Sequence, residues 1–218
     1  MAIIKKNLIG ELSGSLSDVI FRKRNGKIVA YSKPSNQKIS NSKKSIDARK
    51  RFATTVTLAK KINSNILLSE IWKISNISAT NAYQKIIKIN SKFSEPDCIS
   101  VQNKLVPDSR FNAFFTFKYD NNFLYTDLDC KKLNKVLLKF PIIHYLIYAV
   151  TISNDKYIEM ISIELPDLRY LNSYSAEINL DRIINSKTLS AVALTTITAN
   201  PSKTKKLIWT SSVGFKII

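Results

Sequence analysis

His144 is the only histidine among 218 residues. A metal centre built from several imidazoles is therefore excluded, and any Ser-His-Asp or Cys-His machinery would have to recruit that one ring. His144 lies inside the apolar run "FPIIHYLIYAV" (140–150), where a histidine satisfied within a strand is the simpler reading. Serines are plentiful, but no Gly-x-Ser-x-Gly elbow occurs. Cys98 and Cys130 are the only cysteines, and their spacing matches no metal signature. They read as free, buried thiols, with a single disulfide as the alternative. Asp127 and Asp129, in "DLD" with Asp120 nearby, share one side of a strand, as a two-metal nuclease or hydrolase would require. Solvated acids at a hairpin end are the more ordinary reading of the same residues. No Walker, dinucleotide, EF-hand or His-Glu-x-x-His pattern is present. The stretch "LIGELSGSLSD" contains Gly10 and Gly14 but lacks the Gly-Lys-Ser/Thr and the following helix of a phosphate cradle. The expectation is a protein that is not an enzyme, with no catalytic residues, no metal, no cofactor and no small-molecule substrate.

Charge points the other way, towards binding. The net charge is +18. Such a surplus favours nucleic acid, an anionic membrane or an acidic protein surface as partner. Abundant Lys, Asn, Ile and Ser would explain the amount of charge by composition alone, but not its placement. Residues 1–65 hold 15 basic residues against Glu11, Asp18 and Asp47, a surplus of +12 that leaves +6 for the other 153 residues. The densest part is "DVIFRKRNGKIVAYSKP" (18–34), where Arg22, Lys23, Arg24 and Lys27 crowd an Asn25-Gly26 pair. The second is a run holding Arg49, Lys50 and Arg51. These seven residues are the candidate contacts for nucleic acid or an acidic partner. Any nucleic-acid contact is expected to be made to the phosphate backbone, with little sequence preference.

Elements must position those residues. Asn-Gly between two alternating runs is the strongest short hairpin signal, because a two-residue type I′ turn needs positive φ at both central positions. The implied register sets Arg24 opposite Lys27, Lys23 opposite Ile28, Arg22 opposite Val29 and Phe21 opposite Ala30. Like charges across a hairpin are destabilising, so this pairing has little folding rationale and a bound anion would relieve it. The polar, basic, Pro-broken segment 32–45 reads as an extended arm. From 43 to 63 the spacing predicts a basic amphipathic helix, with Ser42 as its cap and Ile46, Phe52, Ala53, Val56, Ala59 and Ile62 inward. Shorter helices are predicted over 64–75 and 79–93, the latter capped by Ser78 or Thr80 and stopped near Pro96. Beyond residue 107 the period falls to two. Strands are predicted over 111–119, 123–128, 135–140, 143–152, 157–164, 174–180, 189–198 and 206–210, with Trp209 buried.

The fold class is therefore α+β: an N-terminal β-hairpin and small helical cluster (1–107), then an antiparallel β-sandwich of immunoglobulin-like form (108–218). The opening "MAIIKKNL" lacks a secretory apolar run, and no window reaches the roughly 20 apolar residues that span a bilayer. A cytoplasmic location, or assembly into a virus-like particle, is expected.

Residues 12–61 resemble the opening of a little-characterised family of Bacteroidota proteins. The match lies in the Ser-Gly entry at Gly14, the Arg-x-x-Asn-Gly-Lys turn at Arg22, Asn25, Gly26 and Lys27, and the helix with Arg49 or Arg51 and Phe52. The segment "SEIWKIS…NAYQKIIKIN" (69–90) is similar as well, while the second half agrees only in style. The resemblance implies no catalytic residues. It implies an association with phage or mobile elements, and hence a virion or assembly component. The leading expectation is a non-enzymatic structural or assembly protein whose basic module meets nucleic acid, an acidic protein surface or sister subunits. The alternative is a cellular DNA- or RNA-binding protein without sequence specificity.

Overall fold

The structure is a computed structural model. It describes residues 2–4, 14–24, 26–33, 39–109, 114–131, 142–152, 158–168, 171–180, 191–201 and 207–217. The chain divides into two compact units, Met1–Ser42 and Lys43–Ile218.

The first unit is one antiparallel sheet in the order β1-β4-β3-β2, built from β1 (Ala2–Ile4), β2 (Gly14–Leu16), β3 (Val19–Arg24) and β4 (Lys27–Ser32). Strands β3 and β4 pair in the register expected of a two-residue turn, Arg24 with Lys27 through Phe21 with Ala30. Gly26 supplies the positive φ, at +75°. The Ser-Gly entry forms a second tight turn. Gly14 opens β2 at φ +114°, and Ser17, at φ 50°, turns the chain so that Leu16 faces Val19. The Lys33 N–H closes the far end by donating to the Asp18 carbonyl at 2.6 Å. Strand β1 was not anticipated, because three apolar residues carry no period. It pairs Ala2–Ile4 with Ile28–Ala30 and makes β4 a central strand. Val29 on β4 is buried, while Ile20, Phe21, Ile28, Ala30 and Tyr31 are half-buried.

The second unit begins with three helices, α1 (Lys43–Ser64), α2 (Ile66–Ile74) and α3 (Ala82–Asn90). Asparagines start the two shorter ones. The Asn65 side chain accepts from the Leu68 N–H at 3.1 Å, and the Asn81 side chain accepts from the Gln84 N–H at 2.9 Å. The cap of α3 is thus Asn81 rather than Ser78 or Thr80. Gln84 reaches back to accept from the Thr80 N–H at 3.2 Å, a reciprocal bond that fixes the start one turn later than composition suggests. Lys85 is buried, and its ammonium donates to the carbonyls of Lys73 and Ser75 at 2.8 and 2.7 Å, closing the C-terminus of α2. Helix α3 ends at Asn90, whose buried amide accepts from the Lys104 N–H at 2.7 Å and donates to the Lys104 carbonyl at 3.0 Å. That side chain ties the loop after α3 to the helix end, and the helix stops at Asn90, three residues before the predicted end.

Eight antiparallel strands follow: β5 (Phe115–Asp120), β6 (Phe123–Asp129), β7 (Ile142–Ile152), β8 (Ile158–Leu165), β9 (Ser173–Asn179), β10 (Ala191–Pro201), β11 (Ile208–Trp209) and β12 (Val213–Ile217). One sheet runs β5-β6-β9. The other runs β11-β10-β7-β8, with β12 also on β10. The predicted strand at 135–140 lies outside the described residues. The positive-φ pair Asn121 and Asn122, at 47° and 66°, forms the β5–β6 turn that "YDNN" signalled.

Strand β7 explains the apolar run around His144. Leu146, Tyr148 and Val150 enter a core shared with Leu124, Leu128, Ala176 and Ile178 of the three-stranded sheet. Ile147 and Ala149 enter a second core with Leu58, Ile62, Leu68, Ile71, Trp72 and Ile86 of the helices. A strand buried on both faces loses the apolar–polar alternation of a half-exposed one. The five-stranded sheet is consequently a middle layer, with helices on one face and a second sheet on the other. Full burial of each large apolar side chain there contributes about 1.5–3 kcal/mol. Trp209 is half-buried and packs on the helical side, donating to the Pro107 carbonyl at 2.9 Å. The fully buried tryptophan is Trp72, which donates to the Leu105 carbonyl at 2.7 Å. Among the described residues, no helix is long and apolar enough to cross a membrane.

Candidate nucleic-acid interface

Four of the seven candidate cations stand on one hairpin. Arg22, Lys23 and Lys27 are exposed on β3 and β4, and Arg24 is directly opposite Lys27 beside the turn. The Arg22 guanidinium lies 6.0 Å from the centre of the Tyr31 ring, its diagonal neighbour on the same face. A cation over an aromatic face at this range is held by the ring quadrupole, worth ~0.5–1 kcal/mol at an exposed site. Tyr31 and Phe21 are half-buried, so both rings help to hold this thin sheet together. The strand period places Lys23 on the opposite face from Arg22.

The other three candidates belong to α1, in the second compact unit. Arg49, Lys50 and Arg51 are all exposed. Lys50 is engaged with the Asp97 carboxylate at 2.8 Å, a hydrogen bond that raises its pKa and keeps it cationic. Asp97 adopts φ +66° in the loop after α3, so Lys50 ties α1 to that loop. The Arg49 guanidinium donates to Ser45 Oγ at 3.3 Å, one turn back.

Helix α1 departs from its expected stripe. Its buried residues are Thr54, Thr55, Leu58, Ala59 and Ile62, all in the second half. Ile46 is 37% exposed and Phe52 is 56% exposed, although helical spacing assigned both to the core. The inward line through Thr55, Leu58 and Ile62 continues N-terminally, at steps of three or four, through Arg51, Ala48 and Lys44. Cations at two of those positions, Arg51 and Lys44, are the sequence signal that the buried stripe does not continue into the first half.

The chemical candidates are scattered. His144 is buried in β7 opposite Leu165 and Ala199. Cys130 is buried in the core between the sheets, and Cys98 is half-buried beside Glu95, to which its thiol donates at 3.7 Å. The two are thiols rather than a disulfide, and burial is the first cause raising the pKa of each. Burial also raises the Tyr148 hydroxyl far above its ordinary range, with Thr126 offsetting this only in part. Asp127 is exposed on β6 and accepts from the Ser175 hydroxyl of β9, while Asp129 accepts from the Lys131 N–H at 3.0 Å. Among the described residues, no three His, Cys, Asp or Glu side chains gather as a metal site would require.

No family model, curated protein or solved structure matches this chain. Its function is read from its own side chains. An open cleft of about 540 Å³ lies where α2 meets the start of α3, with Glu70, Lys73 and Tyr83 on its walls. It had no sequence signal, because helix packing brings its walls together. The basic side chains concentrate instead on the hairpin and on the first half of α1.

Proposed function

We propose that this chain is a non-enzymatic structural or assembly protein whose basic hairpin contacts the phosphate backbone of nucleic acid. The observation that carries this reading is the pairing of Arg24 directly with Lys27 at a tight turn, next to an Arg22 held over Tyr31. Opposed like charges work against the hairpin, and a phosphate between them turns that repulsion into attraction. The exposed Lys23 and Lys27 add to the same field. Backbone contact of this kind is indifferent to sequence and strongly dependent on salt. The setting proposed is a phage-like particle, on the resemblance of residues 12–61, with sister subunits as further partners. The facing antiparallel sheets support an immunoglobulin-like form for the sandwich, with the helical layer as an addition to that plan.

Replacing Arg22, Lys23, Arg24 and Lys27 together by Ser tests the contact. Binding to random-sequence nucleic acid, followed by fluorescence anisotropy over a salt series, should weaken. The slope of log K against log salt should also become shallower, by up to about 0.9 for each duplex phosphate that is no longer neutralised. An unchanged affinity and slope would remove the hairpin from the interface.

A further inference from the structure

We infer that the first half of α1 is a single-strand nucleic-acid contact, in which Phe52 stacks on an unpaired base and Lys43, Lys44, Arg49 and Arg51 hold the flanking phosphates. This rests on the reading of the chain as a nucleic-acid-contact protein, but on a different element from the hairpin.

Residues 43–53 bury no side chain, although the same helix is anchored in the core from Thr54 to Ile62. They hold five cations, Lys43, Lys44, Arg49, Lys50 and Arg51, against the single acid Asp47. Lys50 is paired with Asp97 and the Arg49 guanidinium donates to Ser45, on an exposed cationic surface that also carries Lys43, Lys44 and Arg51. Phe52 is 56% exposed in the middle of it. Arg49 lies one turn before Phe52, at the i,i+3 spacing that makes helical side chains neighbours, and Arg51 is adjacent in sequence. Single exposed apolar residues are ordinary on any surface. A ring flanked by arginines on a half-helix that buries no side chain is a narrower circumstance.

The ring also decides between nucleic-acid forms. In a duplex the base faces are covered by stacking, and side chains from a groove reach only base edges. Phenylalanine carries no hydrogen-bonding group to read an edge. A single strand exposes base faces, and an aromatic platform within a cationic surface is the usual physical means of holding them without sequence preference. Lysine and arginine alone would serve duplex and single strand alike.

The test compares the full chain and its variants by anisotropy, using a labelled oligothymidine and a random-sequence duplex at several salt concentrations. Phe52→Ala should weaken oligothymidine binding roughly 5- to 100-fold, the effect expected when one base–aromatic stack is removed. Its salt slope should stay unchanged, because no charge is removed, and duplex affinity should stay within about twofold. Phe52→Trp should retain binding. Arg49→Ser with Arg51→Ser should make the slope shallower. Circular dichroism controls for folding, and the exposure of Phe52 means that both of its variants should fold. Unchanged oligothymidine binding by Phe52→Ala would overturn the inference. So would an equal weakening on single strand and duplex, or a Phe52-dependent affinity found only for phosphatidylserine vesicles. If the hairpin variant loses binding while Phe52→Ala does not, the hairpin reading stands and this one falls. The reverse result removes the hairpin and keeps α1. Absence of any binding by the unaltered chain removes both.

Discussion

Gly214 illustrates how one position can govern a contact between distant segments. A Cβ built there would lie 2.1 Å from the Val101 carbonyl oxygen and within 2.7 Å of two further Val101 backbone atoms. Strand β12 therefore runs against the backbone of the loop after α3, and only a residue without a side chain permits it. The same region is tied by Ser212 Oγ, which accepts from the Leu105 and Val106 N–H groups at 2.9 and 3.2 Å. Gly214→Ala must displace backbone rather than a flexible side chain. It should cost about 1–3 kcal/mol, the usual penalty for overpacking a filled site. Urea unfolding followed by far-UV circular dichroism would show this as a lower midpoint at constant slope. A variant as stable as the parent would mean that β12 and the Val101 loop separate readily. At this scale the sequence is poorly legible. Nothing around "SVGFKII" distinguishes a glycine required for close approach from one in a turn.

Elements were more legible than single residues where local chemistry decides, and less so where packing decides. The β3–β4 register was readable because Asn25-Gly26 dictates a two-residue turn, and it followed to the residue. The span of α1 was readable from period, within one residue at its end. Which part of α1 packs was not, because spacing reports a face and not how far a neighbouring sheet extends along it. Phe52 and Ile46 therefore lie outside the core although their spacing fits it. The candidate cations were legible as a composition, whereas the commitment of Lys50 to Asp97 depends on a loop 47 residues away. Strand β12 carries a weak signal although Val213, Phe215 and Ile217 alternate, since the preceding turn has no strong punctuation. The division of α1 has a thermodynamic consequence. Leu58→Ala removes a fully buried side chain from the helical core and should cost about 2–5 kcal/mol. Ile46→Ala, in the half that buries no side chain, should stay within about 0.5 kcal/mol of the parent. Comparable destabilisation of the two in thermal unfolding would show that the first half of α1 is packed, and would undercut the proposal that it is a binding surface.

For the whole molecule the decisive quantity is net charge set against self-association. A chain of +18 repels its own copies, so dense packing of subunits needs neutralisation or strong directional contacts. Directional contacts are available in principle. Strands β5, β8 and β9 each pair on one side only among the described residues, and an open edge is a template for strand addition. Neutralisation would come from nucleic acid bound to the basic surfaces. These two sources of cohesion separate an assembly component from a free nucleic-acid binder, and light scattering coupled to size exclusion can tell them apart. Protein purified without nuclease should elute as a large species absorbing strongly at 260 nm. After nuclease treatment at moderate salt, an assembly component should still show a mass of several chains, because edge and subunit contacts survive removal of the polyanion. Raising the salt should then favour the oligomer by screening the repulsion between subunits. A free binder should instead fall to the mass of one chain on nuclease treatment and stay there at every salt concentration. That result would move the proposal from particle assembly to nucleic-acid binding alone. A species free of nucleic acid at the outset, with unchanged mass throughout, would leave subunit contact as the sole basis of association.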